Sequence, residues 1–255
     1  MTFTIADFEI YFLILVRITA FFYTAPFFSL KNVPIRVKTG LSIFLAIILF
    51  FAASYETPQY IGVIGYSTLV IKEAIAGAIM GFFANIAYHI LAFAGQMIDM
   101  EIGFSMVNQL DPVTNIQTTI SSNLYGYLVL LMMMITNLHH YFLKGIVDSF
   151  QVISLGNATL NLNIYQIMIR FIVDYFVIGF RIVLPVFAAI LIVNTILGIL
   201  AKVAPQMNMF VIGLQLKVFI GLIVLALIIG LIPSVADFIF NEMVQMFKAA
   251  IEMLV

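Results

Sequence analysis

Hydrophobic and polar positions fall in long blocks along this chain rather than alternating residue by residue. Short strands of alternating polarity, the mark of a transmembrane barrel, are missing from the pattern. The apolar runs are instead long enough to cross about 30 Å of hydrocarbon as helices rising 1.5 Å per residue. The first covers residues 8–30 and the second residues 39–55, ending in the polar turn Tyr55-Glu56-Thr57-Pro58-Gln59-Tyr60. The third starts near residue 61, is marked by Lys72-Glu73, and is charge-free over 74–98. The fourth covers residues 124–143. The fifth, residues 164–200, is too long for one simple span and holds Pro185, which predicts one long kinked helix or two shorter ones. The sixth covers 209–232, where Pro233 is expected to end it. In the tail, Asp237, Asn241, Gln245, Lys248 and Glu252 recur at steps of three and four, the spacing of one helical face. With Ser234 as its expected N-cap, this tail reads as an amphipathic helix. The pattern as a whole predicts an all-α fold: about six apolar segments in kinked hairpins, one compact domain, and an amphipathic C-terminal helix.

Composition narrows the class. Of 255 residues, 64% are apolar and 9% charged, against roughly 45–50% and roughly 25% in soluble domains. Mean hydropathy is +1.18. A water-facing surface of normal polarity cannot be built from this, which excludes a soluble enzyme and a disordered chain. The net charge of −1 leaves no basic surface for nucleic acid. Cysteine is absent, so disulfides, thiol catalysis and cysteine-ligated metals are excluded. An integral helical membrane protein remains. Asp7 and Glu9 come before the first basic residue, Arg17, which lies inside the first apolar run; this is the reverse of a signal peptide, so the run is expected to stay as a helix. Lys31, Arg36 and Lys38 form a basic loop that favours the cytoplasmic side, and alternation puts the polar residues 99–117 on that side too.

Candidate chemistry is sparse. Arg17, Arg170, Asp174 and Arg181 sit within apolar segments, where a lipid-facing charge costs at least a few kcal/mol, so they are expected to be buried against protein or paired. Arg170 and Asp174 stand at i,i+4 and can meet on one helix face. A structural pair is preferred over a proton relay, because a relay needs a chain of titratable groups. His139 and His140 are adjacent, so their side chains are expected to diverge, and His89 stands alone. Neither a metal-ligand spacing nor a nucleophile elbow or phosphate loop is present. Nothing points to an enzyme, a cofactor or a metal. Gly77 and Gly81 form a G-x-x-x-G motif that lets two helices approach closely. Methionines at 97, 100, 106 and 132–134 suit irregular surfaces, as core filler or as a seal. Between the third and fourth runs, Gly103 permits an unusual turn and Asp111-Pro112 breaks a helix. The intervening Phe104, Met106, Val107 and Leu110 belong either to an external loop or to a re-entrant plug; irregular backbone at membrane depth is tolerated only within protein or a water-filled cavity.

Several blocks together resemble one family. Arg17, Ala25-Pro26, Val33-Pro34, Arg36-Val37-Lys38 and Gly40-Leu41 are similar to the opening of the FliR family of flagellar biosynthetic proteins, part of the FliR/SctT group of type III secretion export apparatus. So are Gly103 and Ser105 followed by Asp111-Pro112, Asn194 with Leu197-Gly198, and Ala204-Pro205-Gln206 with Asn208, Phe210 and Gly213. The blocks stand in the family's order over nearly the whole chain. The resemblance implies a non-enzymatic subunit of the gate through which unfolded flagellar proteins cross the bacterial inner membrane, in the basal body. It implies FliP and FliQ as partners in a helical, cone-like assembly, FlhB at the gate entrance, and no cofactor or nucleic acid. By the same analogy residues 1–180 form a FliP-like part, 181–232 a FliQ-like hairpin and 233–255 the tail. The hairpin tip is then Lys202, Pro205, Gln206 and Asn208. The pore plug is Gly103, Phe104, Ser105, Met106, Val107, Gln109, Leu110, Asp111 and Pro112, extending to about residue 120. Related sequences often carry aromatic residues in mid-loop; Met106 and Gln109 stand there here, so the seal is expected to rest on methionine and aliphatic contacts. Competing readings are a virulence-type injectisome homologue and a small-substrate secondary transporter built on Arg170, Asp174 and Arg181. The transporter reading calls for an inverted repeat that the sequence does not display.

Overall fold

A computed structural model describes residues 4–30, 33–53, 55–105, 119–159 and 164–254. The described residues form nine α-helices and no strand. Helix α1, Ile5–Thr24, starts ahead of the predicted run because Thr4 and Asp7 close a capping box: the Thr4 hydroxyl accepts the Asp7 N–H at 3.2 Å and the Asp7 carboxylate accepts the Thr4 N–H at 2.9 Å. It stops where Ala25 precedes Pro26. Helix α2, Ile35–Ala52, begins directly after Pro34, so Arg36 and Lys38 lie in its first turns rather than in a loop. Proline fixes the backbone just where a helix can start.

The third apolar run divides at Ala87 and Tyr88 into α3, Gly62–Ile86, and α4, His89–Ile102. The fourth divides at Thr136 and Asn137 into α5, Ile120–Ile135, and α6, Leu138–Val152. Asn137 adopts φ +57°, a left-handed conformation that asparagine tolerates better than most residues. The fifth run is one helix, α7, Ile164–Val203, with Pro185 in its interior. Its 40 residues extend about 60 Å, roughly twice the hydrocarbon thickness of a bilayer. Pro233 does not end the sixth run. Helix α8, Met209–Ile228, passes through a 3-10 turn at Ile229–Leu231 into α9, Ile232–Glu252. Pro233 sits in the first turn of α9, where its missing N–H costs nothing, and Ser234 is inside that turn rather than capping it. By length and apolar composition four stretches can cross a membrane, or five if α5 and α6 form one broken span.

The chain divides into two compact units. One comprises Met1–Ala87, Met134–Phe171 and Phe240–Val255. Its core is the buried face of α1 (Ile10, Leu13, Ile14, Ile18, Phe22) against Ala46 and Leu49 of α2, with Phe150 and Leu155. Helix α3 lies along α1 so closely that a Cβ at Gly77 would overlap the Arg17 carbonyl oxygen, and one at Gly81 would overlap the Thr24 hydroxyl. Phe247 of α9 packs edge-on against Phe21 and Phe142, with ring centroids 6.0 and 5.5 Å away. The polar tail residues Asp237, Asn241, Gln245, Lys248 and Glu252 are all exposed, while Ile239, Met243, Met246 and Ala250 are buried. The amphipathic reading of the tail therefore matches its burial.

The other unit comprises Tyr88–Met133 and Ile172–Ile239. Phe93 of α4 meets Tyr175, Phe176 and Phe180 of α7 at centroid distances of 5.4, 5.5 and 5.8 Å. Ile102 of α4 fills the space that a side chain at Gly221 of α8 would need. The Tyr88 hydroxyl donates to the Gly126 carbonyl at 3.0 Å.

Candidate functional site

The expected charges separate into two groups. Arg17 is fully buried and meets Glu73, also fully buried, as a forked pair: Nε and Nη2 each donate to one carboxylate oxygen, the latter at 3.0 Å. The remaining arginine nitrogen, Nη1, donates to the Ile153 carbonyl at 3.0 Å and more weakly to the Ser149 carbonyl at 3.5 Å. The guanidinium carbon lies 4.3 Å from the centre of the Phe150 ring, a cation–π contact. Glu73 accepts a further bond, from the Gly156 N–H at 2.7 Å. Gly156 takes φ +79°, which aims that amide inward. Buried charges are tolerated only when paired and hydrogen-bonded, and here both are. The cluster ties α1, α3 and the turn after α6 to one another. Sequence reading singled out Arg17 but not its partner. Glu73 was visible as a carboxylate in an apolar helix; a separation of 56 positions along the chain hid the pairing.

Arg170 and Arg181, expected to be buried, are exposed in the single chain, and Asp174 is half-exposed. All three lie on α7. His139 and His140, expected to diverge, lie with ring centroids 4.1 Å apart in the first turn of α6.

Of the plug residues, Gly103, Phe104 and Ser105 are described; Met106, Val107, Gln109, Leu110, Asp111 and Pro112 lie outside the described residues. Gly103 ends α4 in the left-handed region at φ +98°, donating its N–H to the Asp99 carbonyl at 3.1 Å. The chain is described again from Thr119, and α5 begins at Ile120. There the buried Asp99 carboxylate accepts the Ser121 N–H at 3.1 Å. One turn earlier on α4, a Cβ at Gly95 would overlap the backbone of Ser122. Neither Asp99 nor Gly95 was distinguished from neighbouring polar and small residues in the sequence. The signal available was an acidic residue four positions before a helix-ending glycine.

At the tip between α7 and α8, Lys202, Pro205, Gln206 and Asn208 are all exposed. Pro205 follows the last turn of α7, and Asn208 is the N-cap of α8, its side-chain oxygen accepting the Phe210 and Val211 N–H groups at 3.2 and 3.4 Å. A Cβ at Gly213 would meet the Leu197 side chain, so these two helices pack closely just beyond the tip.

Comparison with known proteins gives a consistent result. The chain is 34% identical over 245 residues to the flagellar biosynthetic protein FliR of Bacillus subtilis, covering 93% of both chains. It is 29% identical to the protein of that name from Escherichia coli, over 92% of this chain and 89% of the relative. It is 26% identical to the one from Aquifex aeolicus, covering 92% and 91%. Residues 8–243 match the family described as bacterial export proteins, family 1. With 236 of its 255 residues spanned by that match, the chain belongs to the bacterial export proteins of family 1.

Proposed function

We propose that this chain is a non-enzymatic subunit of the flagellar type III protein export gate, set in the bacterial inner membrane within the basal body. The observation that carries the reading is the match over 93% of the chain to a relative named for flagellar biosynthesis. Its partners are FliP and FliQ, with FlhB at the gate entrance and unfolded flagellar subunits as transient cargo. Residues 1–180 act as the FliP-like part, 181–232 as the FliQ-like hairpin, and 233–255 as the tail. The segment from Gly103 to about residue 120 plugs the closed channel. The segment stands between two helices, α4 and α5, whose facing ends are packed on each other at Gly95 and Ser122. Arg170, Asp174 and Arg181 face neighbouring subunits, and exposure of Arg170 and Arg181 in the single chain supports that placement.

Deleting the gene tests the reading. Flagellar subunits should then vanish from the medium while accumulating in the cell, and a plasmid copy should restore their export. Continued export of flagellar subunits by the deletion strain would contradict it. Loss of a virulence secretion with flagellar export intact would point to the injectisome homologue.

A further inference from the structure

We propose that the start of α2 is a binding site for the phosphate of an anionic phospholipid, with Lys38 as its buried cation and Arg36 at its rim. The site is independent of the gate reading and concerns the chain as a membrane protein.

Lys38 is 8% exposed, and an ammonium so deeply covered needs acceptors for its three N–H donors. None is found among the described residues. Its Nζ lies 5.8 Å from the centre of the Tyr23 ring, near the outer limit of a cation–π contact, and the ring face supplies no hydrogen-bond acceptor. Arg17, the other buried cation, has an acceptor for every nitrogen. Side chains on a helix lean toward its N-terminus, so Lys38, the fourth residue of α2, reaches over the first turn. The backbone there also lacks an acceptor. Pro34 is the N-cap, and no side chain caps the helix. The Val37 and Lys38 N–H groups donate to the Pro34 carbonyl at 3.0 and 3.3 Å. The amides of Ile35 and Arg36 have no acceptor among the described residues, as is usual for the first amides of a helix. Arg36 adds a positive charge to a turn that holds no acidic residue, against the helix dipole. An anion at this point would accept from the amides, offset the dipole and pair with both cations.

The surroundings favour a lipid over free phosphate. Helix α2, Ile35–Ala52, is long and apolar enough to cross a membrane, so its first turn falls at the level of the headgroups. Val37, Phe44, Ile48 and Phe51 follow at steps of seven, four and three along one side of the helix, and all four are exposed. Gly40 lies on the same side, with no atom within 4 Å of where its Cβ would stand. This apolar track leads from the cations into the hydrocarbon. An acyl chain can lie along it, whereas inorganic phosphate gains nothing from it. Two cations without a neighbouring acid select a headgroup of net negative charge over a zwitterionic one.

The test uses the protein drawn from its own cells through a tag, with the partners it keeps, and reads lipid binding by native mass spectrometry. Dioleoyl phosphatidylglycerol and dioleoyl phosphatidylcholine are titrated separately, and inorganic phosphate is added as a competitor. Lys38→Met keeps the packed stem and removes the charge. It should weaken phosphatidylglycerol binding by about tenfold or more, the size set by losing charge-assisted hydrogen bonds, and leave phosphatidylcholine binding unchanged. Arg36→Gln alters an exposed side chain and should weaken phosphatidylglycerol binding by about twofold to fivefold; it carries the test if Lys38→Met fails to fold. Inorganic phosphate at the same concentration as the lipid should not displace phosphatidylglycerol. Parental phosphatidylglycerol affinity in these variants overturns the inference. So does an equal loss for phosphatidylcholine, which would mark a general change in packing. Displacement by inorganic phosphate would assign the site to a free anion and overturn the lipid.

Discussion

Arg17 and Glu73 show how a charged pair can be held inside an apolar helical core. Each nitrogen of the guanidinium has an acceptor, and the carboxylate also takes the Gly156 amide. Removing one partner strands the other. Arg17→Leu is predicted to destabilise the protein by about 3–5 kcal/mol, read by thermal unfolding in detergent, while Arg17→Met with Glu73→Leu should recover much of that loss. Single variants as stable as the parent would refute the role assigned to the pair. A second residue-scale prediction concerns pH. The Tyr60 hydroxyl donates to the Glu9 carboxylate at 2.5 Å, and this bond, with the neighbouring negative charge and partial desolvation, raises the Tyr60 pKa above the ordinary 10.0. Its stabilising contribution is therefore complete below pH 10 and is lost as pH climbs through the raised value. Ultraviolet difference titration against Tyr60→Phe should place the midpoint above 10.0, and Glu9→Gln should bring it down. What the sequence offers at this scale is half of each interaction. A lone arginine in an apolar run announces that it needs a partner, but Glu73 could be assigned to it only once α1 and α3 lay side by side.

The packing of α1 on α3 follows from two glycines at the element scale. Gly77 and Gly81 are one helical turn apart, and each would drive a Cβ into backbone or hydroxyl atoms of α1. Gly77→Leu is predicted to separate the helices and to lower stability by about 1–3 kcal/mol. Gly40→Ala, in α2 where no atom lies within 4 Å of the added carbon, should be neutral or raise stability by up to about 1 kcal/mol through helix propensity. Equal effects of the two changes on the unfolding temperature would contradict this account. The G-x-x-x-G spacing was legible because it depends on one helix alone. So were the apolar runs and the polar face of α9, which follow from periodicity. Breaks inside runs were not. Residues 87–88 and 136–137 carry neither proline nor glycine, and hydropathy does not register a turn made from apolar and amide side chains. Pro233 was misleading in the other direction, since proline stops a helix from its interior but not from its first turn.

The whole molecule carries marks of a part made to be covered. Arg181 is exposed in the middle of a 40-residue apolar helix, and an arginine facing hydrocarbon costs at least a few kcal/mol. Residues Phe180, Leu184 and Leu191 around it are exposed as well. Lipid satisfies the apolar side chains but not the guanidinium, so this side of α7 needs protein or water against it. An arginine in an apolar run announces that need in the sequence, but nothing in the periodicity of one chain says what meets it. The measurement that reaches the central claim most directly is the native mass of the complex drawn gently from its own cells through a tag on this chain. The account predicts a large assembly holding one copy of this chain and several copies of two smaller membrane proteins. A stable monomer or homodimer free of partners would contradict it, and would return Arg170, Asp174 and Arg181 to consideration as a transport site.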